Sequence, residues 1–155
     1  MLLFGKKMAN DLGRLAQGVG TRMKTGTNTI FFIHPSKIPK NKKVTYCRIV
    51  SPIRPLKLEV HRMRVTVEGD HLDYDSNTSA VPAQLYTVKL YLNSTISTLG
   101  ARYMTINIKD FFYGTPMELP DYEYAQLSIE LIPQEIIDPY HLIKLTVNNK
   151  VYFVI

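Results

Sequence analysis

A chain of 155 residues, 45% hydrophobic and 21% charged, can bury one sizeable core, and it has no apolar run long enough to span a bilayer. Its single cysteine, Cys47, excludes a disulfide framework. The opening MLLFGKK has too short an apolar core for a secretory signal, with its lysines after that core rather than before it. An intracellular, non-secreted chain is therefore expected, and Asn77-Thr78-Ser79 and Asn93-Ser94-Thr95 read as chance matches to the glycosylation pattern.

The net charge of +6 hides two halves of opposite sign. Residues 1–64 carry 14 Lys/Arg against two acids, Asp11 and Glu59, for +12; residues 65–155 carry five bases against 11 acids, for −6. Such a split points either to an anion-facing N-terminal half or to two lobes that attract each other.

In chain order, KKMANDLGRLAQGVG predicts a short helix. Leu12, Leu15, Ala16 and Val19 form its apolar stripe, and Gly18 and Gly20 close it. Residues 21–43 form a basic, loop-rich stretch in which TIFFI can make one short strand. KKVTYCRIV alternates, with Val44, Tyr46, Arg48 and Val50 on one face and Thr45, Cys47 and Ile49 on the other. SPIRP breaks that strand, since proline removes a ladder donor. Val60–Glu68 alternates again, His61, Met63, Val65 and Val67 one way and Arg62, Arg64 and Thr66 the other. Together these runs predict a twisted antiparallel ribbon with a basic face.

After the polar loop GDHLDYDSNTS, the run VPAQLYTVKLYLNSTIST has Leu85, Val88, Leu92 and Ile96 at helical spacing. Pro82 fits its first turn and Ser79 its cap, and this is the longest helix expected. Tyr103–Ile108 is expected as a strand. It is followed by a turn at Gly114-Thr115-Pro116, an acidic loop ELPDYEY and a mixed segment to Asp138. HLIKLTVNNKVYFVI reads as a hairpin around Asn148-Asn149. The whole is expected to be an α+β fold in one domain, residues 1–155.

Few constellations carry chemistry. His34, His61, His71 and His141 are scattered, without the spacing of a metal site. No phosphate loop or nucleophile motif occurs. Asp73 and Asp75 in LDYD could share a cation, but they lie in a Ser/Asn-rich loop and read as solvated turn residues, as do Glu118, Asp121 and Glu123. The basic ribbon says more. Arg62 and Arg64 alternate on one strand, so both guanidinium groups reach one side, a geometry suited to a phosphate chain. The plainer reading is that both face water beside Glu59 or Glu68.

From NDLGRLAQGVG through TIFFIHP, KVTYCRIV, RPLKLEVHRMRVTVEGDHLDY, STISTLGARYMTINIKDFFYGTPM and LIPQEII to the final run, the chain resembles the copia-type retrotransposon reverse transcriptases over nearly its whole length. The resemblance implies a right-hand polymerase, an RNA-directed DNA polymerase working by two-metal phosphoryl transfer with Mg2+, template-primer and dNTP. An N-terminal helix and basic arm would occupy 1–30, a fingers-like region 31–98 and a partial palm 99–155. It implies that Arg62 and Arg64 contact the incoming nucleotide's triphosphate and that Phe112 lies beneath the sugar and excludes a ribose 2′-hydroxyl.

The family's metal-binding aspartate falls on Asn107. A carboxylate bridges two cations because it is anionic and offers two oxygens, whereas asparagine is neutral and offers one. On an extended strand Asp110 faces the opposite side from position 107 and does not replace it. The family's later Gly-rich segment and Tyr-x-Asp-Asp hairpin do not occur in these residues. The expectation is a palm cut short, catalytically inactive as this chain, with the apolar run VYFVI left as a strand awaiting neighbours and the open palm edge prone to self-association. The remainder of the palm would be its natural partner. The alternatives from other classes are a non-catalytic nucleic-acid-binding module and an inert interaction fragment.

Overall fold

The computed structural model describes residues 2–57, 60–72, 84–106, 108, 113 and 121–155. The chain divides into two compact units, Met1–Asp73 with Phe112–Ile155, and Tyr74–Phe111. The architecture is α+β. The first unit holds helix α1 (Leu2–Leu15), strands β1 (Phe31–Ile33), β2 (Val44–Val50) and β3 (Arg64–Val67), and, after the second unit, β4 (Tyr124–Ser128), the short helical turns α3 (Gln134–Ile137) and α4 (Leu142–Leu145), and β5 (Lys150–Val154). The second unit holds helix α2 (Leu85–Ser97).

The five strands form one mixed sheet in the order β1-β5-β4-β2-β3. Three pairings are antiparallel, while β2 and β4 run parallel. The register aligns Phe32 with Phe153, Phe153 with Ala125, and Ala125 with Thr45, which makes one row across four strands. Thr45, Ala125 and Phe153 in that row are fully or almost fully buried. Thr45 is polar, and its hydroxyl is satisfied by donating to Glu68 O at 2.6 Å. Met8, Ala9, Leu12, Leu15, Ala16 and Val19 of the helical segment join this sheet face in one core cluster with Leu127, Val151, Ile136 and Leu142. Each fully buried Leu or Met of that stripe contributes on the order of 2 kcal/mol.

The end of α1 explains the loop that follows it. A helix leaves its last carbonyls without intrahelical partners, and here Thr25–Ile30 passes across them. Thr27 N donates to Arg14 O (2.7 Å), Thr29 N and Ile30 N to Leu15 O (2.8 and 3.1 Å), and Asn28 N to Ala16 O (3.1 Å). Gly18, at φ 120°, lets its own N–H reach Gly13 O at 2.8 Å. Tyr140 fixes the turn from the far end of the chain: its hydroxyl donates to Gly18 O (2.7 Å) and accepts from Gln17 N (3.0 Å), while its ring meets Phe32 edge-on at 5.1 Å.

Several expectations are corrected. The described residues Tyr103–Ile106 and Ile108 are not a strand; no neighbouring strand pairs with them among the described residues, and Met104 and Ile106 stand exposed. The first arm of the expected terminal hairpin, HLIKL, folds instead as the single turn α4, and only Val147 bridges to Lys150. Its turn is as expected, with Asn148 and Asn149 both at positive φ (52° and 60°). VYFVI is no open edge, because β5 lies between β1 and β4 and pairs with both. The supposed acidic loop ends in β4, at Tyr124. Glu123 is 8% exposed rather than solvated. Among the described residues the longest helix is α1 with 14 residues, against 13 in α2.

Candidate nucleic-acid interface

The expected ribbon is present: β2 pairs β3 antiparallel with Arg48 opposite Thr66 and Val50 opposite Arg64. Met63 is buried and Val65 half-buried, so the core claims the apolar side of this segment, while Arg64 and Thr66 are exposed on the other. Arg48 shares that outer face and stands over the Tyr46 ring, 5.7 Å from its centroid, with Nε 2.5 Å from Glu68 Oε1.

Arg62 is placed differently from Arg64. It precedes β3, is half-buried, and lines a cleft of about 170 Å³ with Lys7, Asn10, Asp11, Arg14, Met23 and Met63. Asp11 is buried there with both oxygens in use, Oδ1 to Arg14 Nη2 (2.7 Å) and Oδ2 to Val65 N (2.9 Å). Lys7 Nζ donates to His61 O, and Arg14 lies over the Tyr113 ring at 5.2 Å. Lys7, Asn10 and Arg14 are not among the residues expected from the sequence, where α1 declares itself by its apolar stripe alone. Their spacing of three and four was the available signal for one polar helix face.

Part of the charge asymmetry is spent inside the fold. Arg22–Glu135, Lys42–Glu123 (3.0 Å) and Arg48–Glu68 each join a base of the N-terminal half to an acid of the C-terminal half. The hydrogen bond from Arg22 holds the Glu135 carboxyl below the usual carboxylate range, so whatever this exposed pair contributes is lost as pH falls through that lowered pKa. Lys24, Lys37, Lys40, Lys57 and Arg64 remain exposed.

The other candidates are structural. His34 Nδ1 accepts the Ser36 N–H (3.2 Å) and caps a short turn. Burial pushes the Cys47 thiol up to about 12, so at neutral pH it is protonated and a poor nucleophile. Among the described residues no three His, Cys, Asp or Glu side chains gather to hold a metal ion, and no helix is long and apolar enough to cross a membrane. Asn107, Asp110, Phe112, Asp73, Asp75, Glu118, Ser79 and Pro82, and the turn at Gly114-Thr115-Pro116, lie outside the described residues. The donor chemistry at position 107 is still plain from the residue itself: a neutral amide, with no adjacent pair of aspartates anywhere in the chain, does not fit a two-ion Mg2+ centre. No protein-family model, curated protein or solved structure matches the chain.

Proposed function

We propose that the chain is the fingers and first part of the palm of a copia-type reverse transcriptase, that it does not polymerise in this form, and that its basic ribbon binds a nucleic-acid backbone. The observation that carries the binding reading is the β2–β3 ribbon. Its apolar side belongs to the core, which leaves Arg48 and Arg64 on an exposed outer face. Guanidinium groups on a rigid strand pair suit phosphate oxygens, and sequence-independent binding of this kind needs no further machinery.

The test is fluorescence anisotropy of a labelled single-stranded RNA over a range of salt. Affinity should fall steeply with salt, and Arg48→Gln with Arg64→Gln should flatten the slope by about one for each phosphate no longer neutralised. An unchanged slope in the double variant sinks the ribbon as the binding surface.

Polymerisation is tested separately by primer extension with an RNA template, a DNA primer, dNTPs and Mg2+. No product is expected, and Asn107→Asp should not restore it, because one carboxylate does not make a two-ion site. Extension by the unaltered chain would overturn the inactive reading.

A second reading, an association module, is favoured by α2. None of its residues is buried, and Leu85, Tyr86, Leu90, Tyr91 and Ile96 are exposed around the helix. A helix apolar on several sides is one built to be covered. RNA binding that is absent at low salt, together with self-association that persists at high salt, would select this reading.

A further inference from the structure

We infer that the sheet face turned away from the core takes unpaired nucleobases, stacked on Phe31 and Tyr152, and so selects single strands by their bases. The register puts Phe31 of β1, Lys150 and Tyr152 of β5, Tyr46 and Arg48 of β2, and Arg64 of β3 on this one face. A sheet face that meets water usually carries polar residues. Here three aromatics stay within reach of solvent: Phe31 is 48% exposed, and Tyr46 and Tyr152 are half-buried. Tyr124, flanked by Val154 and Val44 in the middle of the sheet, is buried and takes no part. Tyr46 already carries the Arg48 guanidinium over its ring at 5.7 Å. Phe31 and Tyr152 have no ring contact among the described residues, which leaves their faces to a ligand.

Phe31 lies opposite Val154 and Ile33 opposite Tyr152, so Phe31 and Tyr152 are diagonal neighbours, roughly 7–8 Å apart. Two bases splayed from one strand can cover two rings at that spacing, whereas bases paired within a duplex are closed to both. The five strands contain no acid, and all three of their bases, Arg48, Arg64 and Lys150, are exposed on this face. Glu68, just past β3, is held by Arg48 at 2.5 Å. Lys150 stands two residues from Tyr152 on the same strand, about 7 Å along it, within reach of the phosphate of a base stacked there. Rings for the bases and cations for the chain between them are the two parts of a single-strand binding surface. A polyanion with open aromatic faces matches both, while a second copy of this chain would bring the same cations and meet repulsion. The inference rests on the nucleic-acid reading proposed above and adds bases to the phosphates gripped by the ribbon.

The experiment uses the full 155-residue chain and three labelled probes in anisotropy titrations: a short oligouridine, an abasic strand with the same number of phosphates, and an RNA duplex of the same length. Phe31→Leu with Tyr152→Leu keeps most of the apolar volume and removes both rings. Oligouridine affinity should then fall about tenfold or more, while the salt slope stays as it was because no phosphate contact is lost. Phe31→Tyr with Tyr152→Phe should keep the affinity. The abasic strand should bind more weakly than oligouridine, and neither it nor the duplex should respond to the leucine pair. Thermal melting of each variant confirms the fold. Equal affinity for the abasic strand and oligouridine, oligouridine binding undisturbed by the leucine pair, or an equal loss for duplex and single strand overturns the platform. The ribbon is judged apart from it, by the salt slope. A slope flattened in Arg48→Gln with Arg64→Gln, beside an ineffective leucine pair, leaves the ribbon standing and removes the platform; the opposite pattern removes the ribbon. If the parent chain binds no RNA at low salt and self-associates until the leucine pair is introduced, the occupant is a second copy and the inference falls.

Discussion

Gly26→Ala should lower stability by about 4 kcal/mol, a large share of what a domain of this size has in hand. An added Cβ at Gly26 would lie 1.9 Å from Ala16 O and 2.6 Å from both Ala16 C and Gly13 O, all backbone atoms at the end of α1. No rotamer change relieves such a clash, so the loop has to lift. Lifting it strips the carbonyls of Arg14, Leu15 and Ala16 of the N–H groups of Thr27, Asn28, Thr29 and Ile30. Overpacking alone costs about 1–3 kcal/mol, and each unsatisfied buried carbonyl adds roughly 1 kcal/mol or more. The melting temperature should drop by about 10 °C on that account. Gly5→Ala is the matched control. It lies within α1 with open space around its would-be Cβ, so alanine should stabilise by about 0.5–1 kcal/mol through helix propensity. Urea denaturation of both variants measures this, and a Gly26→Ala protein within about 0.5 kcal/mol of the parent would refute the cap.

That cap was only half legible in the sequence. The stripe Leu12, Leu15, Ala16, Val19 announced α1, and alternation announced β2 and the start of β3, because each of these elements buries one face and wets the other. β4 was hidden for the opposite reason. Tyr124, Ala125 and Leu127 are all buried, so its first residues show no polar alternation, and the acids before it made the segment read as a loop. HLIKL shows the limit of short apolar runs: a run of four or five residues fits a strand or one helical turn equally well, and packing of Leu142 into the core decided for the turn. Tyr103–Ile108 alternates as a strand should, yet alternation describes a face, and a ladder also needs a neighbour. Of the candidate site, Arg64 was legible from its position on β3, whereas the cleft was not. Its residues come from positions 7 to 63, and only the docking of α1 beside β3 brings them together.

The charge split resolves into both of its readings at once. Glu123 and Glu135 draw Lys42 and Arg22 across the fold, so attraction between the halves is real. What it leaves over is not scattered evenly. Arg64 stands on the ribbon's outer face with no ion pair among the described residues, next to Arg48, which Glu68 holds.

Asp11→Ala should cost about 3 kcal/mol, more than any exposed carboxylate in the chain. In the β2–β3 pair Glu68 N bonds Tyr46 O, and the register then makes Thr66–Arg48 and Arg64–Val50 the hydrogen-bonded pairs. Val65 N–H therefore points away from β2, toward the sheet's outer edge, where an unpaired donor invites another chain. Asp11 Oδ2 takes that donor at 2.9 Å while Oδ1 holds Arg14, so one buried carboxylate ties helix to edge strand and pairs with a half-buried cation. Alanine removes both bonds and leaves Val65 N–H and Arg14 to find substitutes. Asparagine keeps its one oxygen for Val65 N–H but turns an amide NH2 toward Arg14 and loses that ion pair, so Asp11→Asn should cost about 2 kcal/mol. Urea denaturation gives the two costs, and hydrogen exchange at the Val65 amide should accelerate in the alanine variant and stay slow in the asparagine one. Equal costs would mean that charge rather than the edge bond carries the contribution. An alanine variant as stable as the parent would mean that α1 is held by its apolar stripe alone.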